Sequence, residues 1–412
     1  MSNAPSDSPL DLAFVRAQFP AFAEPSLAAQ RHFENAGGSW ASQHSIDALS
    51  QFYRQTKLQP YHPHPSAQAA GAAMDRAYAR WGQALGVAAH EVVIGPSTSQ
   101  NTYVLAQAFA ELLAPGDEVI VTNQDHEANR GVWQRMAERA GATLKVWEVD
   151  PQSGLLHADA LAALLSPATR LVTLPHCSNI VGHKNPVADW TAQVRVAAPG
   201  AFVAVDGVSH APHGLTHVGQ LGCDAYYFSL YKVFGVHQGV MVVRDRLAQM
   251  LPNQSHFFNG GHPQKRLNPA GPDHAQIAAS QAVLDYFEAL MSNHGAASLA
   301  ELNSLIEAHE AALSQPLLDY LSAKNSVRLL GPADAAVRHP TISLVAAGRS
   351  SAQIATALGE RGIACGNGHF YAHRLVEAMG EDPENGVVRL SMVHYTSPDD
   401  VAAAIQALEA VL

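Results

Sequence analysis

Ser229-Leu230-Tyr231-Lys232-Val233-Phe234-Gly235 sets a lysine just past an apolar, strand-like run at 225–228. Lysine is scarce in this chain, at positions 57, 145, 184, 232, 265 and 324 only. One placed near a strand end is costly to bury unless it is paired or covalently used. Asp206 closes a second apolar run at 202–205 and supplies the opposite charge. One chemistry employs both groups. An aldehyde cofactor such as pyridoxal phosphate forms a Schiff base with a lysine amine, while a carboxylate keeps its pyridine nitrogen protonated and makes the ring an electron sink.

Outward from this stretch, apolar runs alternate with helix-period segments. Strands are expected at 91–94, 118–122, 143–148, 170–174, 202–205 and 225–228, several apolar throughout, as for strands covered on both faces. Helical stretches at 98–113 and 131–140 lie between them. This is the α/β pattern of a mostly parallel sheet, whose ligands gather at the carboxyl ends of the strands, and Asp206 stands at such an end. Beyond Leu267 the texture changes to Ala- and Leu-rich helical segments at 273–291 and 297–323. Short strands near 341–345 and 387–392 then flank a helix-like 351–360. Ser397-Pro398-Asp399-Asp400 opens the last helix with a capping hydroxyl, a first-turn proline and two acids at the positive end. The expected organisation is an N-terminal segment (1–30), a large domain (31–268) and a smaller C-terminal α+β domain (269–412), with no internal repeat or low-complexity tract.

At 412 residues, 47% hydrophobic and 15% charged, the chain is long enough for a large core. A net charge of −11 argues against a nucleic-acid partner. No stretch approaches the roughly 18 to 20 apolar residues that span a bilayer. The N-terminus is polar, with Ser6, Asp7, Ser8 and Asp11, unlike a secretory signal. Cys177, Cys223 and Cys365 show no paired or metal-type spacing, which fits a reducing, cytoplasmic compartment.

Other strand ends offer further pieces of a cofactor site. Gly95-Pro96-Ser97-Thr98-Ser99-Gln100-Asn101 ends a strand, supplies hydroxyls and starts a helix, a cradle for a phosphate dianion. The same residues also read as a plain helix cap. His126, in Thr122-Asn123-Gln124-Asp125-His126, is placed to lie against an aromatic ring. Asn179, in Pro175-His176-Cys177-Ser178-Asn179, is placed to donate to a ring oxygen, although Ser and Asn favour turns anyway.

This order of motifs resembles class V aminotransferases of PLP fold type I, most closely their cysteine-desulfurase-like subgroup. The resemblance runs from Arg31-His32-Phe33-Glu34-Asn35-Ala36-Gly37-Gly38 to Tyr395. It is most specific in Val205-Asp206-Gly207 with Ala211-Pro212-His213, and in Cys223-Asp224 with Phe228-Ser229-Leu230-Tyr231-Lys232. The resemblance implies a large domain with a mostly parallel seven-stranded sheet sandwiched by helices, a smaller α+β domain, a homodimer and pyridoxal 5'-phosphate. It implies Lys232 as the Schiff base, Asp206 as the pyridinium partner, His126 as the ring-stacking group and Asn179 as the ring-oxygen donor. Thr98, Ser99 and Ser229 would hold the phosphate, with Tyr231 where desulfurases often carry His, and Ser209 would lie near the ring. Arg389 would grip the substrate carboxylate with its bidentate fork, and Ala36, Gly37, His369 and Tyr371 would line the substrate side.

The departures bear on the reaction. Desulfurases of this type carry a nucleophilic Cys shortly after a Gly-His pair, and the matching run here is Gly368-His369-Phe370-Tyr371-Ala372, with Tyr371 at the sulfur-accepting position. Cys365 reads as a small packed side chain. Asn268-Pro269-Ala270-Gly271-Pro272-Asp273-His274 resembles a segment that reaches the partner subunit's phosphate, with Pro272 in place of its Thr. The expected activity is a C–S or C–Se lyase acting on a small amino acid by β-elimination. Transamination, epimerisation and kynureninase-like cleavage are the alternatives. From other classes, His62-Pro63-His64 and His210-Ala211-Pro212-His213 would fit a metal-dependent hydrolase but lack an accompanying acidic set, so no metal is expected. A non-catalytic protein of the same fold is the third reading.

Overall fold

The computed structural model describes residues 9–412, apart from the side chain of Gln264, so Ser6, Asp7 and Ser8 lie outside the described residues. The apolar runs form one seven-stranded sheet in the order Val92–Gly95, Gly239–Val243, Ala225–Ser229, Phe202–Asp206, Thr169–Pro175, Glu118–Thr122, Thr143–Trp147. All pairings are parallel except those of Gly239–Val243, which runs antiparallel to both neighbours. Successive side chains enter opposite layers, as the period of a strand requires. Ile94, Val203, Val205, Tyr226, Phe228 and Val240 point into one core, while Val93, Phe202, Ala204, Tyr227 and Met241 point into the other.

Each expected strand is present within a residue or two. The start expected at Glu91 instead closes a 3-10 turn, where its Oε2 accepts from Ala88 N (2.9 Å). The sequence reading missed Gly239–Val243, and with it the antiparallel strand that carries the chain back beside the Lys232 turn. It also took 273–291 as one helix, whereas the chain forms His274–Ser280 and Ala282–His294, broken at Gln281.

Towards the C-terminus a four-stranded antiparallel sheet runs Gly366–Gly368, Val387–Ser391, Thr341–Ala346, Val327–Leu330. Leu317, Leu321, Leu358 and Leu408 from the helices covering it pack on Ile342, Leu344, Val388 and Leu390. The last helix, Pro398–Val411, starts as its sequence dictates. Ser397 Oγ accepts from Asp400 N (3.2 Å), and Asp400 Oδ2 accepts from Ser397 N (3.0 Å). The N-terminal segment joins the two sheets: Arg31–His32 pairs with Ile363–Ala364, and Phe19 packs edge-on against Phe234, Tyr286 and Tyr395. Ala275, Ile277, Val283 and Phe287 share a core with Phe228 of the large sheet and Trp81 of helix Pro65–Leu85, and Leu302 and Ile306 join it, whereas Leu313 and Leu317 join the small-sheet core. We therefore propose a division of the chain inside Leu299–Ser322, in place of the boundary expected near Asn268. Among the described residues no helix is long and apolar enough to cross a membrane.

Asp224 anchors the strand that leads to Lys232. Its buried carboxylate accepts from Arg195 Nη2 (2.6 Å), Arg246 Nη1 (2.9 Å) and Val203 N (2.7 Å). Asp224→Ala leaves Val203 N without its acceptor and Arg195 and Arg246 without their counter-ion, and is expected to cost about 2 to 4 kcal/mol, read as a lower denaturant midpoint.

Candidate active site

The sheet's carboxyl ends bring residues from distant parts of the chain to one pocket. Thr98, Ser99, Gln124, His126, Cys177, Asn179, Asp206, Ser209, Ser229, Tyr231 and Lys232 all line it. Ala36, Ser209 and Lys232 line an adjoining narrow cavity with His213, Thr341 and Ser391. Lys232 ends a 3-10 turn, Leu230–Lys232, that follows directly on strand Ala225–Ser229. The backbone there is held by Gln238 O, which accepts from Leu230 N (2.8 Å), and by Ser39 Oγ, which donates to Lys232 O (2.8 Å).

Burial acts on the two charged groups in opposite directions. It lowers the Lys232 ammonium from 10.5 to about 8, with the Arg389 charge pushing the same way and Asp206 and Glu34 opposing. It raises the Asp206 carboxyl from 3.8 to about 6, against the Val208 N–H it accepts (2.9 Å) and the Lys232 charge. His126 caps helix Glu127–Ala140 through Nδ1, which accepts from Ala128 N (3.0 Å), and this places the ring proton on Nε2. Burial, then the charges of Lys232 and Arg389, lower it to about 3, so the imidazole is neutral at physiological pH.

The start of helix Thr98–Ala110 has the chemistry of an anion cradle. Ser97 Oγ caps it by accepting from Gln100 N (3.2 Å), so the first-turn amides of Thr98 and Ser99 have no carbonyl of their own helix to meet. Thr98 Oγ1 and Ser229 Oγ are 2.7 Å apart. A Cβ at Gly239 would lie 2.5 Å from Thr98 N, so the neighbouring strand reaches this helix start only as glycine. Amides, hydroxyls and close backbone at a helix start suit a dianion, and the Asp206 carboxylate suits a pyridinium. The residues present thus fit the phosphorylated pyridine aldehyde expected from the sequence.

Arg389 is 2% exposed. Its Nη1 donates to Asn179 O (3.1 Å), its Nη2 to Glu34 Oε1 (2.9 Å), and its guanidinium lies 3.6 Å from the centroid of the Phe370 ring. The Gly368–Ala372 stretch crosses over the site. Phe370 O accepts from Asn179 Nδ2 (2.9 Å) and Tyr371 O from Glu127 N (2.7 Å), so one of the amide hydrogens of Asn179 is given to this loop. Tyr371 is 66% exposed, with its ring tilted on His126 at 5.1 Å. His369 accepts from Tyr371 N (3.1 Å). Neither His369 nor Tyr371 is among the pocket-lining residues; Gly37 packs against Glu34.

Three features escaped the sequence reading. Glu34 and Gln124 carried no local signal, since each acquires its place through partners far along the chain. A buried histidine group stands behind Asp206. His176 stacks on His210 at 3.6 Å, His210 Nδ1 meets His339 Nε2 (2.9 Å), and His213 Nδ1 meets Glu310 Oε2 (2.8 Å). Glu310 is thus an acid beside the second histidine cluster, which the sequence reading took to lack one. Donor atoms of His213, Glu310 and His339 lie within 4.8 Å of one another, close enough for an ion. The His213 and His339 rings, however, are stacked at 4.3 Å and 15°, so their in-plane lone pairs do not converge on one point. His62 and His64 lie exposed on the surface.

The model of the family described as "Aminotransferase class-V" matches residues 31–403. The chain is 34% identical to the aminotransferase-like protein FGM3 of Gibberella zeae, over 99% of this chain and 100% of that protein. It is 31% identical to a probable cysteine desulfurase of Pseudomonas putida, over 96% of each. Among solved structures, the cysteine desulfurase CsdA of Escherichia coli superposes with a TM-score of 0.82, at 24% identity over 98% of each chain.

The Lys232 shift has a measurable consequence in cofactor-free protein. The folded value, about 8, lies below the ordinary 10.5, so between these pH values the unfolded chain binds more protons and stability rises with pH. Lys232→Met removes the penalty of burying an ammonium. It is expected to stabilise the cofactor-free protein at pH 7 by on the order of 2 kcal/mol, the difference fading as pH rises through 8 to 10.5 in chemical denaturation.

Proposed function

Starting from a chain that belongs to the class V aminotransferase family of pyridoxal 5'-phosphate enzymes, we propose that it cleaves a bond at the β-carbon of a small amino acid. The bond we favour is carbon–sulfur or carbon–selenium, broken by β-elimination with no cysteine of the protein taking up the chalcogen.

One observation carries this reading: the chain offers no thiolate to accept sulfur. Cys177 lines the pocket, but its Sγ donates to Gly182 O (3.2 Å), and burial pushes its thiol up to about 12. Burial first, then the Glu34 charge, raises Cys365 to about 12, and its side chain packs on the small-sheet core. Cys223 is likewise raised to about 12 by burial. A neutral thiol is a poor nucleophile, and the loop position from which desulfurases attack holds Tyr371.

Pyridoxal 5'-phosphate supplies, when bound, an aldehyde for amines and a ring that draws electrons from the substrate's α-carbon. Thr98, Ser99 and Ser229 would hold its phosphate. Asp206 would accept the ring N–H, a task for which its burial removes competing water. With the cofactor and substrate bound, Lys232 Nζ would be the group placed to take the proton from the substrate Cα, and a value near 8 suits a base at neutral pH. Arg389 receives the α-carboxylate and thereby orients the Cα–H bond. His126 would offer the ring a neutral, flat surface, and the Phe370–Tyr371 loop would limit water. Elimination of a thiol from a cysteine-type substrate then yields pyruvate and ammonia after reaction with water.

We also propose a homodimer in a reducing, cytoplasmic setting. Phe257 and Phe258, 91% and 64% exposed, lie shortly before the Asn268–His274 segment and make an apolar surface of the kind covered by a second copy.

The decisive assay offers cysteine, cystine, selenocysteine, cysteine sulfoxides, alanine and kynurenine while measuring pyruvate, sulfide and ring amine. Pyruvate without added keto acid is the expected result; turnover that requires a keto acid would overturn elimination in favour of transamination. Cys177→Ser and Cys365→Ser should each retain kcat within about twofold, and loss of turnover in either would establish a sulfur-carrying thiol.

A further inference from the structure

The arginine assigned to the substrate carboxylate already holds a carboxylate. We propose that Glu34 is a built-in substrate mimic, occupying Arg389 until the amino acid's own α-carboxylate displaces it, and so sets the affinity and selectivity of the subsite without entering the chemistry. This rests on the reading of Arg389 given above.

A guanidinium grips a carboxylate through one of two forks, Nη1 with Nη2 or Nε with Nη2. Nη2 is common to both, and Glu34 Oε1 is bonded to that nitrogen at 2.9 Å. Glu34 thus competes with a substrate carboxylate for the nitrogen that every bidentate grip needs. Arg389 is the fixed member of the pair: it is held by Asn179 O and the Phe370 ring, and its side chain is 3% exposed against 30% for Glu34. Glu34 therefore is the member that moves.

The pair is also half-made. Arg389 Nε and Glu34 Oε2 are both buried and have no hydrogen-bonding partner. A purely structural bridge gains most from closing both bonds, whereas here one donor beside Nη2 is left over for an arriving carboxylate to use. Two glycines from separate segments make the slot in which Glu34 sits. A Cβ at Gly37 would lie 2.4 Å from Oε1, and one at Gly366 would lie 2.2 Å from Oε2. Gly366 is the register partner of Arg389 across the small sheet, so the strand that presents the arginine is flanked by the residue whose missing side chain admits the competing carboxylate.

Propionate, a carboxylate without an amine, tests the exchange on the cofactor-loaded protein by calorimetric titration. Glu34→Gln is expected to tighten propionate about tenfold or more, as loss of a competing charge-assisted bond predicts, and to lower KM for the amino-acid substrate with kcat within about twofold. Propionate should also raise the melting temperature of this variant more than that of the wild type, by giving the buried Arg389 a partner. Gly366→Ala presses its Cβ on Glu34 Oε2 and, at 2.8 Å, on the edge of the Phe370 ring, so it displaces Glu34 without removing its charge and should tighten propionate in the same direction. Should that variant not fold, Glu34→Gln alone decides. Propionate affinity of Glu34→Gln within about twofold of wild type would overturn the proposal. Arg389→Gln in the same titration separates the two readings: if it binds propionate as the wild type does, the carboxylate role of Arg389 fails first, and if it loses binding, the result for Glu34 stands on its own.

Discussion

Two opposite charges buried at neighbouring strand ends constrain everything else in this protein. Lys232 and Asp206 face one pocket from the ends of strands hydrogen-bonded side by side, in surroundings that penalise the charged form of each. A lone buried ammonium or carboxylate is costly, and the two together are tolerable only where the backbone fixes them. The sheet provides that fixity. Its strands are buried on both faces except at the Thr143–Trp147 edge, and the turn carrying Lys232 is tied back to Gln238 and Ser39. The same burial that costs stability gives Lys232 a value near 8, which is what an amine needs in order to act as nucleophile and base near neutral pH.

The large sheet was legible in sequence because each parallel strand writes its own signal, a short apolar run bounded by polar turns. Legibility failed where the signal depends on context. Gly239–Val243 is also an apolar run, but it follows the Lys232 turn so closely that its separate existence rests on the antiparallel pairing that returns it between two strands. Gly366–Gly368 has no propensity for a strand and becomes one only by pairing with Val387–Ser391. Local chemistry survived intact at Ser397, where cap, proline and acids occupy consecutive positions and need nothing from the rest of the chain.

The candidate site divides along the same line. Lys232, Asp206, Thr98, His126 and Asn179 stand at strand ends, so knowing the strands is enough to bring them together, and the structure places all five around one pocket. Glu34 carries no signal of its own in the N-terminal motif, because its partner is Arg389, which lies at the other end of the chain. Glu310 is similar: a carboxylate on the buried side of a long amphipathic helix looks like an unexplained polar residue until His213 arrives from the large domain to meet it.

These long-range pairings explain why the reaction is harder to read than the cofactor. The Lys232–Asp206 side of the pocket is built from one sheet, whereas the surroundings of Arg389 are assembled from the Glu34 segment, the small sheet and the Gly368–Ala372 loop. That loop holds Phe370 and Tyr371 both in the left-handed region, at φ of 48° and 60°, a conformation that costs a non-glycine residue about 1 to 3 kcal/mol. It persists because the carbonyls of both residues are bound, to Asn179 Nδ2 and Glu127 N, and because the Phe370 ring lies over Arg389. Asn179 touches both halves, giving its amide to the loop and its carbonyl to Arg389. Any change in how Arg389 is occupied is thus felt at Asn179, on the cofactor side of the pocket, and at Phe370, on the loop that covers it. The partner held by Arg389 and the position of the loop beside the Lys232 pocket are in this way linked through one set of contacts.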